Sequence, residues 1–161
     1  MNRLNVHLED ANSRKNVNSK EKQKIAQMAY DLIEPNMTVF LDISTTNIEL
    51  AKLLVLRPIS GITVVTNMLD VIQILSTSQI HSIFIGGEFD YARNGFVGNM
   101  CDEFLQRFHF DLSFLGVVGI DLESGNVMTY MPNDGQTKRI VLKQSKKAYM
   151  LADSDKFYQM G

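Results

Sequence analysis

A chain of 161 residues suits one domain built around a single core. Apolar residues make up 45% of it and charged residues 21%, a globular balance that excludes disorder beyond the ends. The formal net charge of -2 excludes a domain built as a whole to grip nucleic acid or an anionic membrane.

The single cysteine, Cys101, excludes an internal disulfide and fits a reducing, cytoplasmic setting. It reads as a small apolar residue on a helix, since no histidine or acid stands near it with motif spacing. His7, His81 and His109 lack the spacing of metal ligands, so no metal is expected. The start Met1-Asn2-Arg3-Leu4 leads into polar residues, unlike a signal peptide. No apolar run reaches the roughly 20 residues of a membrane span.

Residues 1–20 show no apolar periodicity and are expected to form a flexible arm or linker. Ile25, Met28, Ala29, Leu32 and Ile33 then recur at helical spacing, and Glu34-Pro35-Asn36 ends that helix. Thr38-Val39-Phe40-Leu41 reads as a strand closing in Asp42. Ser44-Thr45-Thr46 opens a second helix, with Thr46 and Glu49 at capping-box spacing. Ile62-Thr63-Val64-Val65 is a second strand; Asn67 is placed to cap the helix after it. Ser82-Ile83-Phe84-Ile85 is a third, ending in Gly86-Gly87. Gly95-Phe96-Val97-Gly98 fits either a lid or a packing corner. A helix over about Met100 to Phe108 precedes a fourth strand, Leu112 to Gly116. Asp121 to Gly125 reads as a turn, and Asn133 as the cap of a helix reaching about Lys146. A fifth strand, Ala148 to Leu151, leads into Asp153-Ser154-Asp155-Lys156. Lys143, Lys146 and Lys147 read as the solvated end of the preceding helix. Continuous apolar strands alternating with helices predict an α/β parallel sheet covered on both faces, a three-layer domain.

Ligands of open parallel sheets bind beyond the carboxyl ends of the strands. The polar and glycine clusters fall there: Asp42 to Thr46, Thr66-Asn67, Gly86-Gly87 and Asp153 to Lys156. The first cluster, a strand followed by hydroxyls and a helix start, suits an anion, because free N–H groups and the helix dipole converge on it. Plain N-capping uses the same residues. The P-loop and dinucleotide patterns are both absent. Gly86 and Gly87 allow close approach of backbone or a tight strand exit. Asn67 suits a sugar hydroxyl or a cap, and Lys138 and Lys156 suit a phosphate or solvent.

These clusters, in this order, resemble the C-terminal effector-sensing domain of the DeoR family of bacterial sugar-metabolism repressors. The resemblance runs from about Glu21 to Phe157. It is carried by Phe40-Leu41-Asp42 with Thr45-Thr46, Val64-Val65-Thr66-Asn67, Gly86-Gly87-Glu88, Phe96-Val97-Gly98, Phe114-Leu115-Gly116, Gly119-Ile120-Asp121 and Leu151-Ala152-Asp153 with Lys156-Phe157. It implies a fold similar to ribose-5-phosphate isomerase and glucosamine-6-phosphate deaminase, in the CoA-transferase-like group. It also implies a phosphorylated sugar as effector, no cofactor, and a homo-oligomeric transcriptional regulator that touches DNA through a winged helix-turn-helix and has no membrane partner. By position, the implied ligand residues are Asp42, Ser44, Thr45, Thr46, Thr66, Asn67, Gly86, Gly87, Asp134, Lys138 and Lys156. The family usually reads Asp-Ser-Gly-Thr-Thr in the first loop; here Ile43 and Ser44 replace its serine and glycine. Asp134 stands where the family tends to carry glutamate.

The expected organisation is therefore an arm over 1–20 and an effector domain over 21–161 that ends short of its last strand and helix, with no helix-turn-helix before Lys20. The expected activity is sensing without turnover, so no catalytic residues are assigned. Two other readings compete. One is a sugar-phosphate isomerase or deaminase using Asp42 or Asp134 as base. The other is an oligomerisation module without a ligand.

Overall fold

The computed structural model of the chain describes residues 19–116, 119–121, 127–128, 132–152 and 157–158. Residues 1–18 of the expected arm, and residues 122–126 of the expected turn, lie outside them.

The chain opens with α1 (Ser19–Leu32), then β1 (Thr38–Leu41), α2 (Thr45–Leu56), β2 (Thr63–Thr66), α3 (Leu69–Leu75) and β3 (His81–Phe84). A hairpin of β4 (Glu88–Asp90) and β5 (Gly95–Val97) follows, then α4 (Asn99–Leu105) and β6 (Phe110–Gly116). The short strands β7 (Gly119–Asp121) and β8 (Val127–Met128) precede α5 (Pro132–Gln144), β9 (Ser145–Leu151) and β10 (Phe157–Tyr158). Five strands form one sheet in the order β3-β2-β1-β6-β9, and every pairing in it is parallel. The remaining strands pair as β10-β7-β8 and as β4-β5.

The inner strands β1, β2 and β6 are largely buried because both faces are covered. Val39 and Leu41 pack with Ala26 and Ala29 of α1, Ala51 and Leu54 of α2, and Val71 and Leu75 of α3. On the opposite face Phe40, Val65 and Leu115 pack with Cys101 and Leu105 of α4 and Val141 of α5. Cys101 is thus a buried core residue, as its sequence setting predicts. Asp111 anchors the start of β1, accepting the Thr38 N–H at 2.8 Å.

Several local expectations need correction. The helical stripe of α1 is rotated: Ala26, Ala29 and Ile33 are buried, whereas Met28 is 68% exposed and Leu32 40%. The small alanines let α1 lie close against α2, so they, and not the larger side chains, face inward. Helix α5 stops at Gln144, and Lys146 and Lys147 belong to β9, where Leu112↔Lys147 and Ser113↔Ala148 pair with β6. The lysines are therefore strand residues at a sheet edge and not a helix end. Gly95-Phe96-Val97 is the return strand of a hairpin, a third option beside lid or corner. Among the described residues no helix is long and apolar enough to cross a membrane.

Candidate effector site at the carboxyl ends of the strands

Strand β1 gives rise to α2 and then β2 on one side, while β6 arrives on the other side of β1. The strand order therefore reverses between β1 and β6, and the crevice of such a sheet lies at that point. Asp42, the residue after β1, sits there with 1% exposure. Its Oδ2 accepts the Gly116 N–H at 3.0 Å and pairs with Lys138 Nζ from α5. Lys138 is itself buried, at 6% exposure. Two ions leave water only when each finds a partner, and here each is the other's.

Ser44 ends the connection. Its φ of -164° and ψ of 135° are extended, and its hydroxyl accepts the Thr46 N–H at 3.2 Å. Ser44, not Thr46, is therefore the N-cap, and the expected Thr46–Glu49 capping box does not form. Thr46 falls inside the first turn and is buried, while Glu49 pairs with Lys52 at 3.3 Å. An extended φ suits any residue, so serine stands without strain where the resembling family has glycine. The glycine that the loop does require is Gly116: a Cβ there would lie 2.3 Å from the Ile43 carbonyl oxygen and 3.0 Å from Ser44 Cβ. Ile43, the other departure, is buried in the core and points at Gly95 of the hairpin.

Thr66 donates to the Leu41 carbonyl at 2.8 Å and accepts the Met68 N–H at 3.1 Å, so its hydroxyl binds β1 to β2. Asn67 does not cap α3, whose N-cap is Met68 without a side-chain bond. Its Nδ2 instead donates to the Phe96 carbonyl at 2.8 Å, while its own carbonyl accepts the Phe96 N–H at 2.8 Å. The hairpin outcompetes the helix for this amide. Gly86 and Gly87 are exposed after β3; a Cβ on Gly87 would sit 2.7 Å from the Val97 carbonyl, whereas Gly86 faces open space. The structure thus brings together Asp42, Ser44, Thr45, Thr46 and Lys138, with Thr66 and Asn67 on the adjoining strand end. The Asp134 side chain and Lys156 lie outside the described residues.

Sequence reasoning missed two members of this edge. Asn47, fully buried, donates from Nδ2 to the carbonyls of Asp42 at 2.8 Å and Phe114 at 3.1 Å, lacing β1 to β6. Asp102 of α4, also buried, accepts from Thr137 Oγ1 at 2.6 Å, next to Lys138 in sequence. Burial pushes the Asp102 carboxyl above its ordinary 3.8, and the Thr137 hydroxyl pulls it partly back. A buried asparagine in the first turn, following Thr-Thr, was the only sequence signal for Asn47. Among the described residues no group of three or more histidine, cysteine or acidic side chains is placed to hold a metal. A cleft of about 450 Å³ lined by Pro58, Gly61, Thr63 and His81 lies at the amino ends of β2 and β3. That is the wrong edge of the sheet for a ligand of this architecture.

The doubly covered parallel sheet defines an α/β domain with the fold of ribose-5-phosphate isomerase. The chain belongs to the DeoR C terminal sensor domain family, whose profile matches residues 17–161. It is 34% identical over 146 residues to the L-fucose operon activator of Haemophilus influenzae, covering 90% of this chain and 57% of that protein. It is 30% identical over 145 residues to the glycerol-3-phosphate regulon repressor of Escherichia coli K12, covering 89% and 56%. The chain thus spans just over half the length of these relatives. Among solved structures it is similar in fold to ribose 5-phosphate isomerase A of Methanocaldococcus jannaschii, with a TM-score of 0.61 at 15% identity, covering 88% of this chain and 56% of the other.

Proposed function

We propose that this sensor domain binds a phosphorylated sugar at the β1–β6 edge and reports it, without turnover, to a DNA-binding segment of a sugar-metabolism regulator acting in the cytoplasm as a homo-oligomer. The observation that carries this reading is the position of the Asp42–Thr46 loop, at once the switch point of the sheet and the amino end of α2. The helix end with the half-buried Ser44 and Thr45 hydroxyls suits the phosphate. The names of the two relatives support a carbohydrate signal, and one of those names carries a phosphate ester. Sensing without chemistry is supported by Asp42 itself. A general base has to reach a substrate proton, and the Asp42 Oδ2 is held by Lys138 and Gly116. A phosphate that recruits the Lys138 ammonium must compete with that carboxylate. The competition gives the ligand a different affinity for two arrangements of α5, which is what coupling to a distant segment needs.

Thermal melts against phosphorylated sugars and their unphosphorylated parents test the reading. A ligand at about 100 times its Kd adds roughly 2.7 kcal/mol of stability. The expected result is an upward shift with one phosphosugar, absent with its parent and reduced by Thr45→Ala. No shift with any of them, or consumption of the bound sugar in a coupled assay, would refute it.

A further inference from the structure

The carboxyl edge of the sheet holds two amide oxygens that the fold leaves unused. Asn47 and Asn67 both have 0% exposure. In each, the nitrogen end of the amide is fixed by the carbonyls it donates to: Asp42 and Phe114 for Asn47, Phe96 for Asn67. The Oδ1 of each is buried with no hydrogen-bond partner among the described residues. Folded chains satisfy the large majority of buried side-chain polar atoms, so two exceptions at one edge point to donors that the described residues do not supply. The pair flanks Asp42. Asn47 holds the Asp42 carbonyl, and Asn67 follows Thr66, the register partner of Leu41.

We propose that Asn47 Oδ1 and Asn67 Oδ1 accept hydrogen bonds from two hydroxyl groups of the effector, and so select a polyol over its deoxy analogues. This rests on the effector reading above and names the chemistry of the half of the ligand that is not phosphate. Amide oxygens are neutral acceptors, which match a hydroxyl donor; Asp42, the buried carboxylate that they flank, is already engaged by Lys138. Because both oxygens lie beneath the surface, the hydroxyls that meet them are enclosed. A site built to hydrogen-bond a hydroxyl discriminates strongly against the analogue lacking it, since the buried acceptor is then left unpaired.

Calorimetry on the full chain with ribose 5-phosphate, glucose 6-phosphate and fructose 6-phosphate identifies a binding sugar, and deoxy analogues of that sugar are then titrated one position at a time. The expected result is a loss of roughly tenfold or more at two positions. Asn47→Leu is expected to remove the discrimination at one of them, the parent sugar losing roughly tenfold more affinity than that deoxy analogue does. A purely structural amide would lower both affinities by the same factor, which overturns the proposal. Should Asn47→Leu fail to fold, the deoxy series on the unaltered chain decides: affinities within twofold of one another throughout would mean that enclosed water, and not the effector, meets these oxygens. If none of the three sugars binds, the effector reading itself falls and takes the proposal with it. Binding without hydroxyl discrimination defeats only the proposal.

Discussion

Asp42 and Lys138 set the energetics of the site at the level of single residues. Removing one partner strands a buried charge, so Lys138→Met is expected to cost about 3–5 kcal/mol in urea unfolding. Adding Asp42→Asn to it keeps an acceptor for the Gly116 N–H, and the double variant is expected to recover much of that loss, as a double-mutant cycle would read. Gly116→Ala pushes a Cβ into the Ile43 carbonyl and is expected to destabilise by about 1–3 kcal/mol, visible as a lowered denaturation midpoint at unchanged slope. Ser44→Ala is expected to cost about 1 kcal/mol through loss of the cap, and Ser44→Gly only a few tenths, which separates capping from any penalty for departing from glycine. The place of Asp42 and Ser44 was legible in the sequence, because an apolar run closes in the one and a helix opens after the other; of the two uses open to the hydroxyl, capping is the one that the fold displays. Asn47 was not legible, because its second partner, Phe114, is 67 positions away and only the fold brings them together.

At the scale of elements, two carboxylates tie neighbours together with opposite pH signs. The Thr38 amide holds the Asp111 carboxyl below its ordinary 3.8; burial opposes this, and Lys146 at 3.3 Å adds to it. An acid with a lowered native pKa binds fewer protons when folded. The β1–β6 tie is thus complete above the unfolded pKa and fades as pH falls through the native one. Asp111→Asn keeps the acceptor and is expected to flatten the acid side of a plot of melting temperature against pH. Asp102, between α4 and α5, has its pKa raised, mainly by burial, so the native state binds more protons and stability falls as pH rises through the interval between the two pKa values. Asp102→Asn is expected to melt at or above the parent at pH 7, with the parent catching up as the pH is lowered toward 4. The five parallel strands and their helices were readable because each is a continuous apolar run or an amphipathic stretch. The β4–β5 hairpin was not. Its strands have three residues each, too short to show alternation, so the Asn94-Gly95 pair at its turn, with Asn94 at a φ of 54°, went unread as a hairpin signal. What holds it is tertiary: Gly95 against Ile43, and Phe96 between Phe84 and Phe89.

Taken whole, the molecule covers both faces of its five-stranded sheet, so a ligand can approach that sheet only at its edges. The family was legible from the order of its clusters, each weak by itself, since that order is the order of strand ends around the site. The hydrogen bonding at the strand ends was not. Thr66 and Asn67 read alike in sequence, yet the hydroxyl of one is wholly occupied by backbone while an oxygen of the other is left over.

The partners of the central ion pair stand 96 positions apart. During synthesis, β1 and α2 therefore leave the ribosome long before α5 can meet them, and β1 waits still longer for its neighbour β6 than for β2. Contacts of such long range make for slow, late consolidation. A growing chain that has not yet emerged past Lys138 is expected to be degraded readily by protease and to gain no protection from a phosphosugar. Protection should arrive abruptly once α5 is out, so that any response to a ligand beside β1 waits on a lysine 96 positions further along the chain.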